Sequence, residues 1–170
     1  MADIILYSVS PEKYFACVVS ILKSEGKGRR VIYVTTNKPY SQLVSMLKTH
    51  GISAESFFFI DCITKYTGGR IDPKATNCIF VENPQSLTVM NIATVEALKS
   101  IDGSKMVFFD SLSTLSLYNG QQTMGQFSHF IISKLRTLDV DAVFLSIESD
   151  IKEDEMKHVA SLVDGVRECK

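Results

Sequence analysis

Short, wholly apolar segments recur along this chain, each followed by a stretch whose apolar residues return every three or four positions, and that alternation leaves few architectures open. Ile4 to Tyr7, Val31 to Thr35, Phe57 to Ile60, Ile79 to Val81, Met106 to Phe109 and Ala142 to Ile147 read as strands, with a last short one around Val166. A strand that is apolar on both faces shows no side to water. The intervening segments have one apolar face at helical spacing: Tyr14, Val18, Ile21 and Leu22; Leu43, Met46 and Leu47; the run from Leu87 to Lys99; then Met124, Phe127, Ile131, Leu135 and Leu138, the clearest of all. A weaker helical pattern follows through Met156, Val159, Ala160 and Val163. Strands of this kind alternating with amphipathic helices predict a three-layer α/β domain, a mainly parallel sheet with helices on both faces. Punctuation agrees: Ser10-Pro11 is an N-cap and N1 pair that should start the first helix, Gly26 and Gly51 end the first two, Pro39 opens the second, and Thr67-Gly68-Gly69-Arg70 and Tyr118-Asn119-Gly120 are a loop and a turn.

With 170 residues and 45% hydrophobic content, the chain has material for one full core, so residues 1–170 are expected to form a single domain. The formal net charge of −1 creates no global field toward nucleic acid or anionic lipid. Cys17, Cys62, Cys78 and Cys169 are scattered without a Cys-x-x-Cys pair, which predicts neither a zinc site nor a disulfide framework and suits a reducing cytosol. No signal core and no apolar run of membrane-spanning length is present, so a soluble, cytoplasmic protein without membrane contact is expected.

Residues Lys105 to Leu115 read K-M-V-F-F-D-S-L-S-T-L, an apolar strand closed by an acid. Asn83 to Thr88 read N-P-Q-S-L-T, Phe127 to Arg136 read F-S-H-F-I-I-S-K-L-R, and Val163 to Val166 read V-D-G-V. Together these segments resemble the RecA superfamily of P-loop ATPases, and within it the KaiC-like and archaeal RadA-like branch, over nearly the whole chain. The resemblance implies a RecA-like domain with Asp110 at the place of the Walker B acid, which orders magnesium.

The first half of that nucleotide site does not follow. Threading G-x-x-x-x-G-K-[ST] with its lysine on Lys13 puts Tyr7 and Glu12 at the glycine positions and Tyr14 at the magnesium-binding hydroxyl. Pro11 removes an N–H that a phosphate cradle needs, and Glu12 adds a like charge. Where the KaiC-like branch carries acids that activate water, Val31 to Val34 runs into Thr35-Thr36-Asn37. Lys13, Asp110 and Ser111 therefore form a vestigial nucleotide site, with no catalytic residue and no metal. No cofactor is expected, ATP with magnesium being what an intact site would take. Asp110 should find Lys13 as its partner, or else hydroxyls and N–H groups of its own turn.

The function this implies is non-catalytic: a RecA/KaiC-like module in protein assembly or regulation, ATP hydrolysis lost. Two alternatives stay open, an ATP-binding protein or weak ATPase with a non-standard phosphate loop built on Lys13 and Asp110, and a recombination accessory factor. The expected partner is a second copy or a related RecA-superfamily ATPase subunit, through Tyr33, Tyr40, Phe57 and Phe58 or the surface near Tyr118. Nucleic acid is not expected, because Glu148 to Glu155, at the place of a DNA-contacting loop in the recombinases, carries five acids and one lysine. The basic cluster Lys23, Lys27, Arg29 and Arg30 reads as a solvated turn. His50, His129 and His158 lack metal spacing.

Overall fold

The computed structural model describes residues 1–148 and 152–169. Seven strands, β1 (Ile4–Val9), β2 (Arg30–Thr35), β3 (Phe57–Asp61), β4 (Cys78–Phe80), β5 (Lys105–Asp110), β6 (Asp141–Ile147) and β7 (Gly165–Cys169), make one sheet in the order β4-β3-β2-β5-β6-β1-β7. Every pairing is parallel. The helices are α1 (Tyr14–Glu25), α2 (Tyr40–Thr49), α3 (Leu87–Ser100), the short α4 (Leu112–Ser116), α5 (Gln121–Thr137) and α6 (Glu153–Leu162). This is the predicted three-layer α/β arrangement. No helix among the described residues is long and apolar enough to cross a membrane.

Pleat parity divides the core. On β2, Ile32 and Val34 face one layer while Val31 and Tyr33 face the other; on β5, Val107 and Phe109 part in the same way from Met106 and Phe108. The first set packs with Met90 of α3, Leu112 of α4, Phe127 and Ile131 of α5 and Val159 of α6. The second packs with Val18 and Leu22 of α1 and Leu43 and Leu47 of α2. Tyr33, Phe59, Phe108, Phe109 and Phe144 are fully buried, each ring stabilising the fold by roughly 1.5–3 kcal/mol. Carried one step further, the same parity aims the last residues of β3 and β5, Asp61 and Asp110, into the α1–α2 layer.

Three expectations are corrected. The first helix opens as a 3-10 turn at Pro11–Lys13 and becomes α-helical only at Tyr14, and the Ser10 side chain makes no capping bond. Tyr33 and Phe57 cannot serve as contact surface, being core residues that are 0% and 3% exposed. The cysteines do form a disulfide, Cys17 to Cys169, with Cα atoms 6.0 Å apart and a sequence separation of 152. Spacing alone could not disclose this pair, because the approach is made by β7 docking in parallel on β1, Val9 opposite Cys169, beneath α1. Cys62 and Cys78 remain free thiols.

The bridge fastens an edge strand that is otherwise held mainly by β1 and by Arg167, which donates to the Tyr7 hydroxyl at 3.1 Å and pairs with Glu25 at 3.3 Å. Closing so long a loop lowers unfolded-chain entropy by an amount worth about 5 kcal/mol in the chain-entropy limit. Denatured without reductant, the protein should titrate two thiols, and four after reduction. Reduction or Cys169→Ser should lower Tm; four thiols without reductant would show the bridge absent.

Candidate functional site

Asp110 ends β5 fully buried. Its Oδ2 accepts a hydrogen bond from the Tyr33 hydroxyl at 2.6 Å and another from the Tyr14 hydroxyl. Its Oδ1 is buried and takes no hydrogen bond among the described residues. Tyr33 reaches it from the adjacent strand, where β2 and β5 run in register with Thr35 opposite Asp110. Tyr14 reaches it from the first residue of α1.

Behind the carboxylate the backbone is locked. The Asp110–Ser111 peptide is cis, and Thr36 N–H donates to the Asp110 carbonyl at 2.8 Å. The Thr36 hydroxyl donates to the Asp110 and Ser111 carbonyls at 3.3 and 3.2 Å and accepts from Ser111 N–H at 3.2 Å. Ser111 is the N-cap of α4, its Oγ accepting from Thr114 N–H at 3.1 Å and lying 2.7 Å from the Thr114 hydroxyl. Ser113 Oγ accepts Ile147 N–H at 2.8 Å, which joins the turn to β6.

Lys13 is not part of this cluster. It is exposed at the end of the 3-10 turn, so the expected Lys13–Asp110 contact is replaced by two phenols, neither from the acid's own turn. The nearby cation is instead Lys38, whose Nζ lies 6.0 Å from the Tyr14 ring centre and 5.8 Å from that of Phe15. Between β1 and the 3-10 turn stands a single residue, Ser10, so no loop is free to curl around an anion.

Burial governs the protonation of this group. It pushes the Asp110 carboxyl above its ordinary range, opposed by the two phenols, by the Asn37 side chain and by the Lys38 charge. It also drives the Tyr14 and Tyr33 hydroxyls up, aided in each by the Asp110 charge, so both remain donors.

A second buried carboxylate, which sequence reading missed, sits on the other side of β2, where Thr35 is opposite Asp61. Asp61 Oδ1 accepts N–H groups of Ile63 and Thr64 at 2.9 and 2.8 Å; Oδ2 accepts Tyr40 N–H at 2.7 Å and the Thr64 hydroxyl. The signal was present, since F-F-F-I-D repeats the pattern of F-F-D. No three His, Cys, Asp or Glu side chains gather in metal-holding geometry among the described residues. His129 and His158 are exposed and His50 half-buried. Of the acidic stretch 148–155, residues 149–151 lie outside the described residues, while Glu153, Asp154 and Glu155 form the first turn of α6. Arg29 pairs with Asp141 at 2.8 Å, which accounts for one member of the basic cluster.

The fold is RecA/KaiC-like. The chain superposes on the KaiC-like protein PH0186 of the hyperthermophilic archaeon Pyrococcus horikoshii with a TM-score of 0.66 and 12% identity, covering 96% of this chain and 69% of that one. It superposes on PH0321 of Pyrococcus horikoshii, an uncharacterized protein solved in complex with an unknown peptide, with a TM-score of 0.72 and 13% identity, covering 99% and 77%. The model of a family of unknown function, DUF7504, matches residues 5–169, and the chain belongs to that family. In sequence, no curated protein matches it.

Two outcomes follow from the carboxylate's surroundings. Tyr33→Phe removes a bond to a buried acid and should cost about 1.5–3 kcal/mol in chemical denaturation. A carboxyl whose folded pKa is raised holds its proton longer when folded than when unfolded. Its charging therefore subtracts stability as pH climbs from its ordinary 3.8 through the raised folded value. Asp110→Asn, which cannot charge, should gain on the wild type between pH 4 and pH 7; a difference that is flat or falls with pH would refute the assignment.

Proposed function

We propose that this protein is a non-catalytic RecA/KaiC-like module that works by protein association and has lost ATP hydrolysis. The observation that carries this reading is the pair of phenols on Asp110. Tyr14, which aligns with the hydroxyl residue that would share the metal with the Walker B acid, donates directly to that acid and fills the space between them. The residues present do not fit a magnesium triphosphate. The acid's Oδ2 is already satisfied, β1 passes into a helical turn across one residue, Pro11 offers no N–H, and Lys13 is exposed to solvent.

Association has support on the surface. An apolar groove between α3 and α5 carries Ile92 and Phe130, each about half exposed. At the carboxyl edge of the sheet Leu117 is exposed beside Tyr118, which packs edge-on against the exposed Tyr66. Exposed apolar side chains grouped in this way commonly mark contacts between proteins. The peptide bound by PH0321 favours a role of the same kind here, with a second copy or a related RecA-superfamily ATPase subunit as partner.

The orphaned Oδ1 of Asp110 is the one observation that favours the alternative, an ATP-binding protein with a non-standard loop, because it leaves an acceptor for a cation. Calorimetry with magnesium and ATP at neutral pH separates the two readings. No saturable heat is expected, and a micromolar Kd would overturn the non-catalytic reading. Sedimentation, alone and with candidate ATPase subunits, should show association that Phe130→Glu weakens; a monomer that binds neither would remove the association claim.

A further inference from the structure

On the face of the sheet opposite the Asp110 side chain, α4, α5 and α6 enclose a cavity of about 560 Å³. Its volume lies in the range of small-molecule sites. Leu112, Met124 and Val159 give it an apolar floor, all three within the buried core of that layer. Glu155 and His158, one helical turn apart on α6, stand at its rim.

Two residues of the wall are chosen against the stability of the empty protein. Ser128 is 1% exposed, and its hydroxyl has no hydrogen-bond partner among the described residues. A helical serine ordinarily returns its hydroxyl to a carbonyl one turn back, as Ser116 and Thr137 do here. An orphaned buried hydroxyl calls for a partner that the chain does not supply. The second residue is Gly125, in the first half of α5, where glycine is the weakest helix former apart from proline. No crowding demands it: a Cβ at that place would meet His158 Nε2 at 3.5 Å, an ordinary contact. What glycine does there is keep the space between α5 and α6 open.

We propose that this cavity is a binding site for a small organic molecule with an apolar body and a neutral or cationic polar end. The body lies on Leu112, Met124 and Val159, and the polar end satisfies Ser128 Oγ and the Glu155 carboxylate. Glu155 at the rim, with Asp154 beside it in the first turn of α6, favours a cation over an anion there, while Glu153 is paired with Lys157 at 2.9 Å. Nothing in this assignment depends on the state of Asp110.

Tryptamine and indole-3-acetate, an aromatic body with opposite charges, are suitable probes. In amide-resolved NMR titrations of the full chain, tryptamine should give saturable shifts confined to α4, α5 and α6. Indole-3-acetate should bind roughly tenfold more weakly. Gly125→Leu should abolish the shifts while the cooperative thermal transition is kept, and Ser128→Ala should weaken binding severalfold. Gly125→Ala should raise Tm by roughly 2–4 °C. Absence of saturable shifts, equal binding of amine and acid, unchanged binding in Gly125→Leu, or a fall in Tm for Gly125→Ala each overturns the site.

Discussion

A carboxylate at the end of a fully buried strand must be matched by donors, and in this protein two tyrosines do the matching. Tyr14 and Tyr33 close on one oxygen of Asp110 from different elements, so one contact ties α1, β2 and β5 together at the carboxyl edge of the sheet. Each phenol also belongs to the α1–α2 core, Tyr33 lying 5.0 Å from the Phe108 ring and 6.0 Å from that of Phe59. The polar contact is thereby sealed by aromatic packing. Charge-assisted bonds of this kind are about twice as strong as neutral ones, yet burial still raises the acid. The cluster is a compromise between solvation lost and hydrogen bonds gained.

The same edge shows how a doubly covered sheet handles polar groups in general. Thr35 at the end of β2 stands between two acids, Asp61 on one side and Asp110 on the other. Asp61 gathers the N–H groups that start α2 and the turn after β3, while Ser111, Ser113 and Thr36 tie down the turn after β5. Strand ends in a parallel sheet leave backbone donors together at one edge, and short polar side chains there satisfy them without water. An ancestral ligand site and a structural one call for the same residue types.

The fold was legible because the sheet is buried on both faces. Apart from Val81, which lies one residue past β4, each apolar run from Ile4–Tyr7 to Ala142–Ile147 falls within an observed strand, β5 extending the predicted Met106–Phe109 by one residue at each end. The site was legible only in part. Asp110 could be found from the run that precedes it, but its partner could not, since Tyr33 alternates into the α1–α2 layer like any core aromatic and only the register of β2 against β5 brings its hydroxyl to the acid. Lys13 holds the lysine position of the phosphate-loop pattern in sequence, yet lies exposed in a 3-10 turn. The Cys17–Cys169 bridge stayed hidden for the same reason, as long-range pairing is set by which strand docks where, not by spacing. Asp61 carries the same local signal at the end of F-F-F-I-D, but no segment of the family resemblance coincides with it.

The central claim is that phenol hydroxyls, rather than a metal, hold Asp110. High-field NMR of the Tyr14 and Tyr33 hydroxyl protons, assigned with Tyr33→Phe and followed during addition of magnesium and ATP, reports on that contact directly. The account predicts two slowly exchanging, strongly downfield signals that do not move through millimolar magnesium and ATP. Loss or displacement of either signal at stoichiometric ATP, with a matching shift of the Asp110 carboxyl carbon, would contradict it.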